Sequence, residues 1–332
     1  MFRLFVFLIS LVASTVAWGQ TYDPKIAYTS YEGNADNLYV ANANGSNKVI
    51  VYKAAKVRLG AIDMAPVDPD NPTIRKIAFS QSGVLKVLSY KVLPTSITSL
   101  GAVSLDSIGA PYQGANFPDF SPDGSKLLYI KNTPNVNGTG PTDIYLVSIG
   151  GGDSKLLWYA GLSGGTSIST VRWTGARQFA FLLRGGSPGL DDVKQAYLDA
   201  NDEVVPSPET LLTDEDAFFT TNYLFGIEEF DVARTRKSLL FTTGTPPNSK
   251  STTFVEFKLP EGTQAGTYYI HLSNSSGIRN HFSSDDSHIL YLHISSRWSN
   301  IYDYVYLLDT AFPKNTFALT PKGQFGYADS QP

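Results

Sequence analysis

A short apolar strand recurs six times along the chain, at intervals of 50 to 60 residues. Each copy runs from a polar to an aromatic residue, as in Lys25-Ile26-Ala27-Tyr28, and the copies start at Lys25, Lys76, Lys126, Gln178, Ser238 and His288. A period of this length indicates copies of one small supersecondary unit, which must stack on one another to bury their apolar faces. The repeat therefore constrains the fold more than any single motif does.

Each copy continues with further strands of the same kind. A second aromatic strand follows a turn, as in Asn37–Val40, Asp143–Val147 and Tyr304–Leu308, and a short strand such as Lys155–Trp158 ends the unit. Short runs rich in Val, Ile, Tyr and Phe are typical of half-buried antiparallel strands. Four strands per repeat predict an all-β, six-bladed β-propeller. The pattern leaves one alternative open, a short helix over Asp191–Ala200.

The composition agrees with a folded protein and excludes several function classes. Of the 332 residues 42% are hydrophobic and only 17% are charged, which is too apolar for a disordered chain. The net charge of −4 provides no basic surface for a nucleic acid. The chain has no cysteine, so disulfides, zinc fingers and thiol nucleophiles are excluded.

The N-terminal sequence has the three parts of a secretory signal peptide. Arg3 supplies a positive charge, Leu4–Val16 is almost entirely apolar, and Ala17-Trp18-Gly19 places small residues before a cleavage site. We therefore predict a signal peptide over residues 1–19 and one propeller domain over residues 20–332, located in the periplasm or secreted. An uncleaved membrane anchor is the alternative, although the apolar run is short for a membrane span.

The segment before the third copy carries the clearest motif. Pro118-Asp119-Phe120 is followed by the tight turn Ser121-Pro122-Asp123-Gly124, in which Pro presets φ and Gly can adopt positive φ. This segment resembles the propeller repeat of the TolB family, periplasmic proteins of the Tol envelope system. Phe282–His288 keeps a degraded form of it. The resemblance implies a TolB-like six-bladed propeller.

Both ends of the chain bear on this resemblance. The first repeat starts at Lys25, so we expect neither the α/β domain that precedes the propeller in TolB nor a hydrolase domain after it. Tyr327–Pro332 resembles the inner strand of a further repeat, and the first repeat lacks such a strand. We therefore expect the C-terminal strand to close the ring within the first blade.

Six ionisable residues occupy matching places in the inner strands. Each precedes the aromatic or equivalent residue of its strand, and they are Asp63, Asp119, Arg172, Glu229, His281 and Asp329. Side chains alternate along a strand, so we expect these six to share one orientation and to line or flank the central channel. Three interpretations stay open: structural hydrogen bonds or pairing between blades, contact with a partner or ligand at the channel mouth, and a calcium ion held by carboxylates.

The other candidate sites are weaker. Gly161–Gly165 formally matches Gly-x-Ser-x-Gly, but no strand and helix flank it as a nucleophile elbow requires. The four histidines fall in the last two blades, at His271, His281, His288 and His293, without a metal-binding spacing.

We therefore favour a non-enzymatic module that binds a protein or peptide of the cell envelope. We expect a monomer without a cofactor, without a nucleic-acid partner and without a membrane span in the mature protein. The alternative is a calcium-dependent hydrolase of the six-bladed lactonase type, whose metal would lie in the central channel.

Overall fold

The computed structural model describes residues 25–107, 117–132, 142–159, 167–185, 191–205, 208–213, 225–233, 237–244, 252–259, 267–275, 277–283, 286, 288–293, 304–309, 316–318, 320 and 325–330. The predicted signal peptide lies outside these residues and stays a prediction, as does the domain division that rests on it. No helix in the described ranges is long and apolar enough to cross a membrane.

The described residues form 24 strands in six antiparallel sheets of four. Blade 1 begins with β1 (Lys25–Glu32), β2 (Ala35–Asn42) and β3 (Val49–Ala55). Blade 2 contains β4 (Leu59–Met64), β5 (Ile74–Gln81), β6 (Val84–Leu93) and β7 (Ser96–Ser107). Blade 3 contains β8 (Asp119–Phe120), β9 (Lys126–Asn132), β10 (Thr142–Ser148) and β11 (Lys155–Trp158). Blade 4 contains β12 (Ser167–Gly175), β13 (Gln178–Arg184), β14 (Asp192–Tyr197) and β15 (Glu209–Thr213). Blade 5 contains β16 (Phe225–Val232), β17 (Ser238–Gly244), β18 (Thr252–Lys258) and β19 (Thr267–Ser275). Blade 6 contains β20 (Gly277–Phe282), β21 (His288–His293), β22 (Tyr304–Asp309) and β23 (Thr316–Ala318), and β24 (Phe325–Ser330) completes blade 1.

The innermost strands β24, β4, β8, β12, β16 and β20 form a ring in which each contacts the next. The sequence-based prediction of a six-bladed β-propeller is confirmed. The alternative helix over Asp191–Ala200 is wrong, because Asp192–Tyr197 forms β14 and pairs with both β13 and β15. Its alternating burial is that of a strand rather than of a helix.

The C-terminal strand closes the ring as expected. β24 pairs with β1 through Ile26 opposite Ser330, Ala27 opposite Asp329 and Tyr28 opposite Ala328. Blade 1 therefore combines the first and the last described strands of the chain, and main-chain hydrogen bonds join them.

Among the described residues the hydrophobic core consists of six clusters, one at each junction between blades. Between blades 3 and 4, Leu128 and Ile144 pack against Val171, Phe179 and Phe181. Burying a side chain of this size contributes roughly 1.5–3 kcal/mol. No blade buries both faces by itself, so the stacking of the ring provides the core.

The turn before β9 has the geometry that its sequence predicts. Gly124 has φ +67°, and its N–H donates to Ser121 O over 2.7 Å. The corresponding turn in blade 6 keeps this bond, since Asp286 has φ +55° and its N–H donates to Ser283 O over 2.9 Å. The degraded repeat thus preserves this hydrogen bond although it lacks the glycine.

Candidate functional site

Strand pairing defines one equivalent position on every innermost strand, opposite the third residue of the recurring strand. We call it the ring position. Five of the six residues selected from the sequence occupy it: Asp63 opposite Ala78, Asp119 opposite Leu128, Arg172 opposite Ala180, His281 opposite Leu290, and Asp329 opposite Ala27. The side chain of Asp329 lies outside the part of the structure that is described.

In blade 5 the ring position belongs to Asp231. Asp231 pairs with Leu240, the third residue of its recurring strand, whereas Glu229 pairs with Thr242. The placement of Glu229 at this position was therefore wrong. The turn after β16 supports this alignment of blade 5 with the other blades. Ala233 N donates to Ser238 O over 2.9 Å, as the equivalent residues do in other blades.

Carboxylates at the ring position connect one blade to the next. In each case a carboxylate Oδ2 accepts a hydrogen bond from a backbone N–H of the next blade. The pairs are Asp63 with Phe120 N (2.6 Å), Asp119 with Trp173 N, and Asp231 with Phe282 N (2.8 Å). We call each of these bonds a cross-blade latch. Hydrogen bonds to a charged group contribute roughly 1.5–3 kcal/mol each. The latches support the structural interpretation of Asp63 and Asp119.

Blade 4 departs from this pattern because its ring position holds Arg172, which cannot accept a hydrogen bond. Arg172 is only 5% exposed, and its Nε lies 3.2 Å from Asp231 Oδ1 in blade 5. Its Nη1 donates to Val171 O over 3.0 Å, and the guanidinium lies over the Phe117 ring. An ion pair therefore replaces the latch between blades 4 and 5.

A third blade contributes to the same cluster. His281 Nδ1 lies 3.7 Å from Asp231 Oδ1, the oxygen that also faces Arg172. Burial by itself would raise the pKa of Asp231, but the hydrogen bond and charge of His281, the charge of Arg172 and the Phe282 amide together hold it well below its ordinary value. Asp231 is thus an ionised, largely buried group shared by blades 4, 5 and 6.

A cleft of about 380 Å³ opens where the innermost strands of blades 2 to 5 end. Three charged ring-position residues line it, namely Asp119, Arg172 and Asp231. Apolar residues from the ends of the innermost strands and from the turns after them complete the walls, and these are Pro66, Phe120, Pro122, Trp173, Ala176, Val232 and Ala233. Thr174 also lines the cleft, and its buried Oγ1 has no hydrogen-bond partner among the residues that the structure describes. The structure thus brings three ring-position side chains to one concave surface.

A second set of carboxylates was missed from the sequence. Asp36 in β2 accepts a hydrogen bond from Leu59 N over 2.8 Å, and Asp191 just before β14 accepts one from Ile227 N over 3.2 Å. Both bonds cross to the innermost strand of the next blade. Burial is the main cause that raises the pKa of each carboxyl group. An Asp before or within the third strand of a blade was the sequence feature that could have indicated these bonds, but it was not used in the sequence-based prediction.

The remaining candidates gain no support. Gly161–Gly165 lies outside the described residues, and so do the side chains of His271 and His293. His288 begins β21 as an ordinary strand residue. Within the part of the chain that is described, no three His, Asp or Glu side chains lie close enough to hold a metal ion. The calcium hypothesis stays a prediction.

No protein-family model matches the chain, and no curated protein matches its sequence. Solved structures do resemble it. TolB from Acinetobacter baumannii superposes with a TM-score of 0.63 at 14% identity, over 93% of this chain and 67% of that one.

Enzymes share the architecture as well. A putative 6-phosphogluconolactonase from Bacteroides uniformis has a TM-score of 0.52 at 10% identity, over 92% of this chain and 99% of that one. An oligogalacturonate lyase from Vibrio parahaemolyticus has a TM-score of 0.50 at 9% identity, over 90% of this chain and 79% of that one. At these identities the likeness shows the fold alone, and that fold is a TolB-like propeller.

Proposed function

We propose that the protein is an exported, non-enzymatic binding module of the cell envelope, which holds a peptide segment of a protein partner in the cleft at the end of the ring. The cleft is the observation that carries the proposal. It is concave, it is lined by side chains of four blades, and it combines charged groups with apolar walls. Such a mixture is typical of binding sites.

The location in the envelope rests on two observations from the sequence. One is the predicted signal peptide, and the other is the resemblance of Pro118–Gly124 to the repeat of a periplasmic family. The TolB-like fold is consistent with this location. The calcium-dependent hydrolase remains the rival proposal, because lactonase-type propellers share the architecture.

The test is a crosslinking pull-down from envelope extract of the host, with residues 20–332 as bait. Ala176→Trp fills the cleft from an exposed turn without removing a ring-position residue. Ala55→Trp, at an exposed alanine on the outer strand of blade 1, is the matched control. We expect a stoichiometric partner that binds the wild type and Ala55→Trp but not Ala176→Trp.

A partner that binds all three proteins equally would contradict the assignment to the cleft. Capture of no partner, together with a higher melting temperature in calcium and hydrolysis of a lactone or ester, would replace the proposal by the rival enzyme.

A further inference from the structure

The lining of the cleft contains more acidic than basic side chains. Asp119 and Asp231 are acidic, and Arg172 is the basic residue among the described lining side chains. These three described lining side chains therefore carry one net negative charge.

The position of Arg172 does not favour an anionic ligand. Its Nε faces Asp231 Oδ1 at 3.2 Å, and its Nη1 donates to the carbonyl of Val171. An incoming carboxylate would have to share this guanidinium with Asp231 and would also approach Asp119. Like charges at such a site reduce affinity.

The walls suit a long side chain with a charged end. Apolar surface from four blades surrounds the opening, and it is contributed by Pro66, Pro122, Ala176 and Val232. The methylene stem of a lysine or arginine packs on such surface while its head group reaches polar partners.

We propose that the cleft selects a basic side chain, Lys or Arg, in the partner's peptide segment, and that Asp119 is the specificity-determining residue. This inference rests on the proposed function, since it names the chemistry that the same site recognises. The volume of about 380 Å³ leaves room for one such side chain and part of the adjoining backbone.

The test uses a positional-scanning library of labelled hexapeptides, in which one position is fixed as Lys, Arg, Gln or Glu. Binding to residues 20–332 is measured by fluorescence anisotropy at low and moderate salt. We expect Lys and Arg pools to bind about tenfold tighter than Glu pools, with a difference that shrinks as salt rises.

Two matched variants separate the role of Asp119 in specificity from its role in the fold. Asp119→Asn removes the charge but keeps a side-chain oxygen for Trp173 N, so we expect it to abolish the preference for basic pools. Asp63→Asn makes the same change in the latch to Phe120, outside the cleft lining, and is expected to keep that preference. The Lys-to-Gln comparison in the wild type decides the inference even if Asp119→Asn does not fold.

The outcomes distinguish the two proposals. If Ala176→Trp abolishes binding but the pools show no preference, or prefer Glu, the basic-side-chain inference fails and the proposed function stands. If no pool binds the wild type more tightly than Ala176→Trp, the proposed function itself fails.

Discussion

Replacing Asp231 by alanine tests whether the ring depends on a buried ion pair. Asp231 accepts the hydrogen bond of Phe282 N, and its other oxygen faces both Arg172 and His281. The substitution removes the latch and leaves the cation of Arg172, which is 5% exposed, without its carboxylate. Breaking a buried pair in this way costs about 3–5 kcal/mol.

Asp63→Ala provides the reference because Asp63 holds a latch of the same kind between blades 2 and 3. Asp63 accepts the hydrogen bond of Phe120 N over 2.6 Å, and leaving a buried donor unsatisfied costs about 1–3 kcal/mol. We therefore expect Asp231→Ala to lower the free energy of unfolding by roughly 2 kcal/mol more than Asp63→Ala does.

The measurement is equilibrium unfolding in urea, followed by fluorescence and by far-ultraviolet circular dichroism. The double variant Arg172→Met with Asp231→Ala should be more stable than Asp231→Ala alone, because it no longer buries a cation that has lost the Asp231 carboxylate. Equal losses for Asp231→Ala and Asp63→Ala would refute the ion-pair reasoning. So would a double variant less stable than Asp231→Ala.

Three further predictions follow from the structure. Folding lowers the pKa of Asp231, so the contribution of this carboxylate to stability is complete above about pH 4 and is lost as the pH falls towards the folded-state pKa. The melting temperature of the wild type should therefore fall more steeply on acidification than that of Asp231→Asn. Deleting residues 327–332 removes most of β24 and should lower the melting temperature by several degrees, and an unchanged value would contradict closure by this strand. Gly60→Ala would place a Cβ 2.0 Å from Ser80 Oγ, so calorimetry should show a loss of about 1–3 kcal/mol that Ser80→Ala partly restores.

The fold could be predicted from the sequence because the recurring strand is recognisable in every blade. The recurring strand returns every 50 to 60 residues in all six blades, and each copy forms the second strand of its sheet. The closing strand could be predicted too, because the first repeat lacks an inner strand and the last residues supply one. Both inferences use main-chain pairing, which tolerates wide variation in side chains.

The candidate site was predicted less completely. Aligning the strands on an aromatic residue selected Phe230 in blade 5, although Val232 holds the equivalent place and packs with the core between blades 4 and 5. Counting back from the start of the next strand would have found it, since Phe282 precedes His288 by six residues as Val232 precedes Ser238. The cleft itself depends on how turns of separate blades meet, which no local pattern encodes.

The pairing of β24 with β1 has a consequence for the order in which the protein is made. A ribosome releases β1 about 300 residues before it releases β24, the inner partner of that strand. A product truncated between β3 and β24 leaves the edge of β1 without its partner strand, and such an edge promotes aggregation. Completion of the first blade therefore depends on the synthesis of β24, so a fragment that ends before this strand cannot close the ring.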